Sequence, residues 1–119
     1  MPYQSTNGNA HYLTQTYRKV IGGVPNITSI FTSTLFPQVG VPITASFVTN
    51  HPYTSFTCQW FYQTGGFPNF FLPFGTADNL TASPPLASSG KLITIQIQAS
   101  NSFGSGAINS NTVPNTVAP

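Results

Sequence analysis

The fold class that this sequence predicts is all-β, an antiparallel β-sandwich, and three observations carry the prediction. Apolar side chains recur at every second position in several short runs, most plainly Ile93, Ile95, Ile97 and Ala99, which alternate with Thr94, Gln96 and Gln98. Eleven Pro and ten Gly punctuate the chain, and no segment between them keeps a helical period. The runs are β-branched and aromatic, as strands require, and turn residues separate them at short intervals. The 119 residues suffice for one domain.

In chain order, residues 1–26 are polar and rich in Gly and Asn, with Tyr3, Tyr12 and Tyr17 along them and Arg18-Lys19 near the end. They are expected to form an extended N-terminal arm. The sandwich is expected over 27–113 and a C-terminal tail over 114–119. Within the sandwich, Ile27–Phe36 is a predicted strand closed by Pro37. Pro42–Thr49 follows, with Ile43, Ala45 and Phe47 on one face. Thr54–Gln63 places Phe56, Cys58, Trp60 and Tyr62 together and Thr57, Gln59 and Gln63 opposite, and Gly65-Gly66 ends it. Phe67–Phe74 holds four Phe and two Pro in eight residues, and the prolines confine any strand there to a sheet edge. Asn79–Ala82 is a short strand before the turn-rich Ser83–Gly90. Leu92–Ser100 is the clearest strand, facing Ile93, Ile95, Ile97 and Ala99 inward and Thr94, Gln96 and Gln98 outward. Gly104–Val113 is a weaker last strand.

Composition excludes most chemistries. Thr, Ser, Asn and Gln supply 45 residues, and only 3% of the chain is charged, against roughly 25% in ordinary soluble proteins. Asp78 is the sole side-chain carboxylate, so no paired acid and base can be built and no carboxylate Ca²⁺ cage. One Cys and two His cannot make a structural zinc site. No enzyme, cofactor or metal is therefore expected. The net charge of +2 reflects missing acids rather than abundant bases. Nucleic-acid affinity scales with the phosphates neutralised, at a salt slope of about −0.9 each, and Arg18, Lys19 and Lys91 are too few to carry it. No apolar run approaches the roughly 20 residues of a membrane-spanning helix. The first residues have neither the basic start nor the apolar stretch of a secretory signal, and the lone Cys58 suits a reducing compartment.

Phe47 lies thirteen residues before Trp60, and Ile97 thirty-seven after it. Together with the strings Gln59-Trp60-Phe61-Tyr62 and Ile95-Gln96-Ile97-Gln98-Ala99-Ser100-Asn101-Ser102-Phe103-Gly104-Ser105, this spacing resembles the immunoglobulin-like domains of bacteria and phages over residues 38 to 113. The resemblance implies an Ig-like sandwich without the inter-sheet disulfide. Phe47 and Ile97 stand where the two cysteines would be, Trp60 is the strand C tryptophan, and Ile95 replaces the tyrosine-corner residue. Losing such a disulfide costs about 2–5 kcal/mol. Burying Phe47 and Ile97 contributes roughly 1.5–3 kcal/mol each, so the sandwich can stand without it.

Most candidate side chains have a structural role as their simplest explanation. Cys58, on the Trp60 face, is a small core residue. His11 lies in the arm and His51 precedes Pro52 in a turn. Asp78 caps a turn or strand. The sequons Asn26-Ile27-Thr28 and Asn79-Leu80-Thr81 arise by chance in so Asn- and Thr-rich a chain. Two features point to a partner instead. Tyr12, Tyr17, Arg18 and Lys19 make a contact patch for an acidic surface, and Phe70, Phe71 and Phe74 form an apolar patch for another subunit. Four charged residues can guard few sheet edges, so the chain suits permanent residence in an assembly.

The resemblance and the composition together imply a phage virion structural protein, a cement or decoration subunit on the outer capsid surface that contacts the major capsid or other virion proteins and its own copies. Arm and sandwich edge would bridge neighbouring shell subunits, where repeated apolar burial at about 25 cal/mol per Å² sums to a large stabilisation. The alternative expectation is a tail or surface module that binds host glycans. Trp60, if it were exposed, or Tyr53, Tyr62 and the Phe67–Phe74 segment would then supply stacking surfaces.

Overall fold

The structure is a computed structural model, and it describes residues 23–119. Eight strands follow one another as β1 (Ile27–Thr32), β2 (Ile43–Thr49), β3 (Ser55–Gln63), β4 (Phe71–Phe74), β5 (Thr81–Ala82), β6 (Ile93–Asn101), β7 (Gly104–Ser105) and β8 (Asn109–Thr112), with one 3₁₀ turn at Leu86–Ser88 before β6. They form two antiparallel sheets, β1-β2-β5 and β4-β3-β6, with β7 and β8 sharing the far edge of β6. The protein is a β-sandwich. Consecutive strands β2 and β3 lie in different sheets, and β3 pairs with β6, the crossed arrangement of an Ig-like sandwich.

The period-2 pattern places the core. Trp60, Cys58, Ile93, Ile95, Ile97 and Ala99 are buried from the larger sheet, and Ile27, Ile43, Ala45 and Ala82 from the smaller. Phe47 and Phe56 are half-buried and pack against this cluster. Their rings, 5.4 Å apart, form a triad with Tyr53 at one end of the sandwich. In the β6–β8 pairing, Ile97 stands opposite Asn109 while Ser100 stands opposite Ser105, so β7 and β8 together carry one extra residue. This bulge admits the incoming chain, because Gly106 lies against the carbonyl of Pro25 where a Cβ would overlap it.

Four local expectations are corrected. β1 ends at Thr32 rather than Phe36, because hydroxyls compete for the backbone: Thr32 Oγ1 donates to the Thr34 carbonyl, and Thr34 Oγ1 accepts from Phe36 N–H. Thr94 is buried although its position in the alternation is outward. It lies on the central strand between Phe61 and Thr112, and its hydroxyl pairs with that of Thr112 at 2.8 Å. Residues 23–26 belong to the sandwich rather than to an arm. Pro25 is fully buried, and Asn26 exchanges hydrogen bonds with Asn50 and accepts from Ala107 N–H. The C-terminal segment is no free tail either. Val117 is buried, its N–H donates to the Lys91 carbonyl, and its own carbonyl accepts from Gly90 N–H. Ala118 exchanges the corresponding bonds with Pro37 and Val39.

Candidate functional site

The β3–β4 hairpin carries a dense run of exposed apolar side chains. Asn69 organises its loop: Oδ1 accepts from Gly65 N–H at 2.8 Å, and Nδ2 donates to Gln63 Oε1 at 3.1 Å. Thr64 closes the loop by donating its N–H to the Phe70 carbonyl and accepting from Phe70 N–H at its hydroxyl. Gly65, at φ +76°, supplies the left-handed turn. This frame holds Phe67, Phe70, Phe71 and Leu72 in solvent. Such a group exposes on the order of a few hundred Å² of apolar surface, the range in which patches mark interaction sites.

The free edge of β4 is blunted. Thr64 and Phe70 form a hydrogen-bonded pair, so by alternation Leu72 and Phe74 direct their backbone groups to β3 while Phe71 and Pro73 face outward. Pro73 has no N–H to offer an added strand. The hairpin therefore presents side chains rather than a backbone template.

Of the apolar residues expected at a partner surface, Phe70 and Phe71 are exposed as expected. Phe74 is not. It is buried on the inner face opposite Trp60, with ring centroids 6.0 Å apart. Trp60 itself is fully buried and its indole N–H donates to the Leu80 carbonyl, which removes it from any sugar-stacking role. Tyr53 is exposed as expected, with one side of its ring against Phe47 and Phe56, and Tyr62 packs 6.3 Å from Phe74. Tyr12, Tyr17, Arg18 and Lys19 lie outside the described residues, as does His11. Phe47, Cys58, Ile95 and Ile97 take their expected places in and against the core.

A second feature was not anticipated. The outer face of β3 and β6 carries a groove of about 280 Å³, with Thr57, Gln59, Gln96 and Gln98 as its floor and Asp78 and Ile108 among its walls. Gln59 stands opposite Gln96, and Thr57 opposite Gln98. Asp78 is held there as a one-residue extension of the ladder. Its N–H donates to the Cys58 carbonyl at 2.7 Å, and its Oδ1 accepts from Cys58 N–H at 3.1 Å. It does so at φ +62°, a conformation that Asp tolerates better than most residues. The alternation showed these glutamines facing outward, but only the register brings them opposite one another.

Cys58 is buried beneath this groove. Burial, reinforced by the negative charge of Asp78, pushes its thiol up to about 11, so it stays protonated at neutral pH. His51 stands at the end of the sandwich, where its ring packs against Gly23. Among the described residues, no three His, Cys, Asp or Glu side chains gather as a metal site would require. The sequence matches no known protein family and no curated protein.

Proposed function

We propose that this chain is a non-enzymatic structural subunit of a phage virion, a cement or decoration protein on the outer capsid surface. The observation that supports it is the apolar hairpin. Phe67, Phe70, Phe71 and Leu72 are held in solvent by a hydrogen-bonded loop, and among the described residues Asp78 and Lys91 are the only Asp, Glu, Lys or Arg. A free protein exposing such a patch with so little charge is prone to associate, whereas a shell subunit buries it. The resemblance to phage Ig-like domains supplies the setting. A glycan-binding surface module is the second reading: Trp60 is buried and Tyr62 packs against Phe74, which leaves it the exposed Tyr53 and the hairpin rings of Phe67, Phe70 and Phe71.

Quantitative mass spectrometry of purified particles tests the proposal. The expected result is a copy number comparable to that of the most abundant shell protein. A few copies per particle would reassign the chain to a tail or vertex, and its absence from particles would overturn the virion role.

A further inference from the structure

We infer that the groove on the outer face of β3 and β6 is a binding site for a neutral sugar ring, a hexopyranose unit that presents adjacent hydroxyls. The inference rests on the second, glycan reading and moves its site from the exposed aromatic rings to the amide face. It is independent of the virion role.

The strand register builds a small polar floor. Gln59 stands opposite Gln96 and Thr57 opposite Gln98, all on the outer face. Gln63 N–H donates to the Leu92 carbonyl, so by alternation both are hydrogen-bonded pairs. Such pairs are about 5.5 Å apart between Cα atoms, and the two lie about 7 Å apart along the strands. Asp78, bonded to Cys58 on the β4 side of β3, closes one end of this floor. Ile108 closes the other, next to Asn109, the partner of Ile97 on β6. The volume of about 280 Å³ lies just below the range of about 300–1,000 Å³ that holds drug-sized ligands, and suits a single ring.

The groove offers both halves of a hydrogen bond. Gln59 spends its Nε2 hydrogens on the carbonyls of Phe74 and Trp60, at 2.8 and 3.1 Å, which leaves Oε1 as a fixed acceptor. Gln98 spends one on the Gly106 carbonyl at 3.0 Å and keeps a second N–H beside its own Oε1. The Gln96 amide and the Thr57 hydroxyl add donors and acceptors. Asp78 gives Oδ1 to Cys58 N–H and leaves Oδ2 as the one charged acceptor. A hydroxyl donates once and accepts twice, so one ring hydroxyl can donate to Asp78 while accepting from an amide, and its neighbour can repeat the pattern across the floor. A guanidinium or an ammonium only donates, and would set its hydrogens against those of Gln96, Gln98 and Thr57. An anion would meet the charge of Asp78 in a groove that no cation lines. A sugar ring also carries an apolar C–H side, for which the exposed Ile108 supplies a wall. Gln59, Gln98 and Asp78 are held by the fold before any ligand arrives, which lowers the cost of ordering them.

Titration of the ¹⁵N-labelled full chain, read at the side-chain amides of Gln59, Gln96 and Gln98, tests this. The probes are the methyl glycosides of glucose, galactose and mannose, which vary the axial and equatorial hydroxyls, with methylguanidinium and inorganic phosphate as charged comparisons. At the ordinary efficiency of a drug-sized ligand, the roughly thirteen heavy atoms of a methyl glycoside give a midpoint on the order of 1 mM. The expected result is saturation by at least one glycoside, with the shifts centred on the three glutamines. Asp78→Asn should weaken it about tenfold, since the asparagine oxygen is still claimed by Cys58 N–H and an NH₂ then replaces the charged acceptor. Gln96→Ala, at an exposed position, should weaken it about threefold to tenfold without touching the core. No saturation by about 50 mM with any glycoside, or saturation that both variants leave unchanged, overturns the site. Saturation by methylguanidinium or phosphate alone overturns the ligand class. Shifts confined to Tyr53 or to Phe67, Phe70 and Phe71 overturn the groove while sparing the glycan reading, so the two failures are distinguishable.

Discussion

The indole N–H of Trp60 donates to the carbonyl of Leu80 at 3.1 Å, and the same carbonyl accepts from Ala45 N–H at 2.9 Å. Trp60 belongs to the larger sheet, Ala45 to the smaller, and Leu80 leads into β5. One carbonyl thus ties the two sheets together at the edge of the core. The link gives this carbonyl two donors and leaves the only tryptophan with a partner, as a buried indole requires.

Trp60→Phe separates the two contributions. The smaller ring removes the hydrogen bond and leaves space, while Ala45 still satisfies Leu80. A loss of about 2–4 kcal/mol is expected, read as a lower urea midpoint with an unchanged slope. A change below about 0.5 kcal/mol would show that the tie contributes nothing.

The strands were legible because their faces differ so strongly. Cys58 and Trp60 on β3, and Ile93, Ile95, Ile97 and Ala99 on β6, all bury as the alternation requires. Thr94 was not legible: a threonine in an outward position says nothing of the Phe61 and Thr112 side chains that the register sets beside it. Val117 escaped for a different reason. A lone apolar residue between Thr116 and Ala118 has no period, and only its docking between residues 37–39 and 89–91 gives it a role. The partner surface was half legible. Pro73 marked β4 as an edge, but whether each Phe points in or out depended on its register with β3, which sends Phe74 inward and Phe71 outward. The amide groove needed the pairing of two strands more than thirty residues apart in sequence, information that no local pattern contains.

Gly106→Ala is expected to destabilise the fold sharply. The added methyl would overlap the Pro25 carbonyl oxygen, which is backbone and cannot swing aside. Relief requires the 23–26 segment to shift, at a cost of about 1–3 kcal/mol. Gly66→Ala is the control, with open space around it and no left-handed backbone, and should stay within about 0.5 kcal/mol of the parent in the same denaturation experiment.

Val117 anchors the C-terminal clasp, which bonds to Pro37 and Val39 on one side and to Gly90 and Lys91 on the other. Val117→Ala should cost roughly 1.5–2.5 kcal/mol from lost burial alone. Hydrogen exchange adds the test of mechanism. The Val39 and Gly90 amides, which donate to the clasp, should lose protection more than the amides of β3.

Phe67→Ser combined with Phe70→Ser should leave the melting temperature within a few degrees of the parent, since neither ring is buried. Under the proposed virion role, the same pair should abolish retention on purified particles that lack the wild-type chain, scored by co-sedimentation. Full retention would move the interface away from the hairpin.

Cys58 gives the fold a pH dependence whose sign follows from its raised pKa. An ordinary thiol titrates near 9, whereas in the folded chain burial, with the charge of Asp78 adding to it, holds the proton until about 11. Between those values the unfolded chain binds fewer protons than the folded one, so stability falls as pH rises across that window and carries no contribution from this group below it. Urea midpoints at about pH 8 and about pH 10.5 should therefore diverge more in the parent than in Cys58→Ala, whose difference isolates the thiol from tyrosine and lysine titrations. Equal divergence in both would mean that the thiol ionises in the folded state as readily as in the unfolded one. A thiol-specific reagent offers the kinetic counterpart: at neutral pH, labelling of Cys58 should wait on unfolding and accelerate in step with added urea.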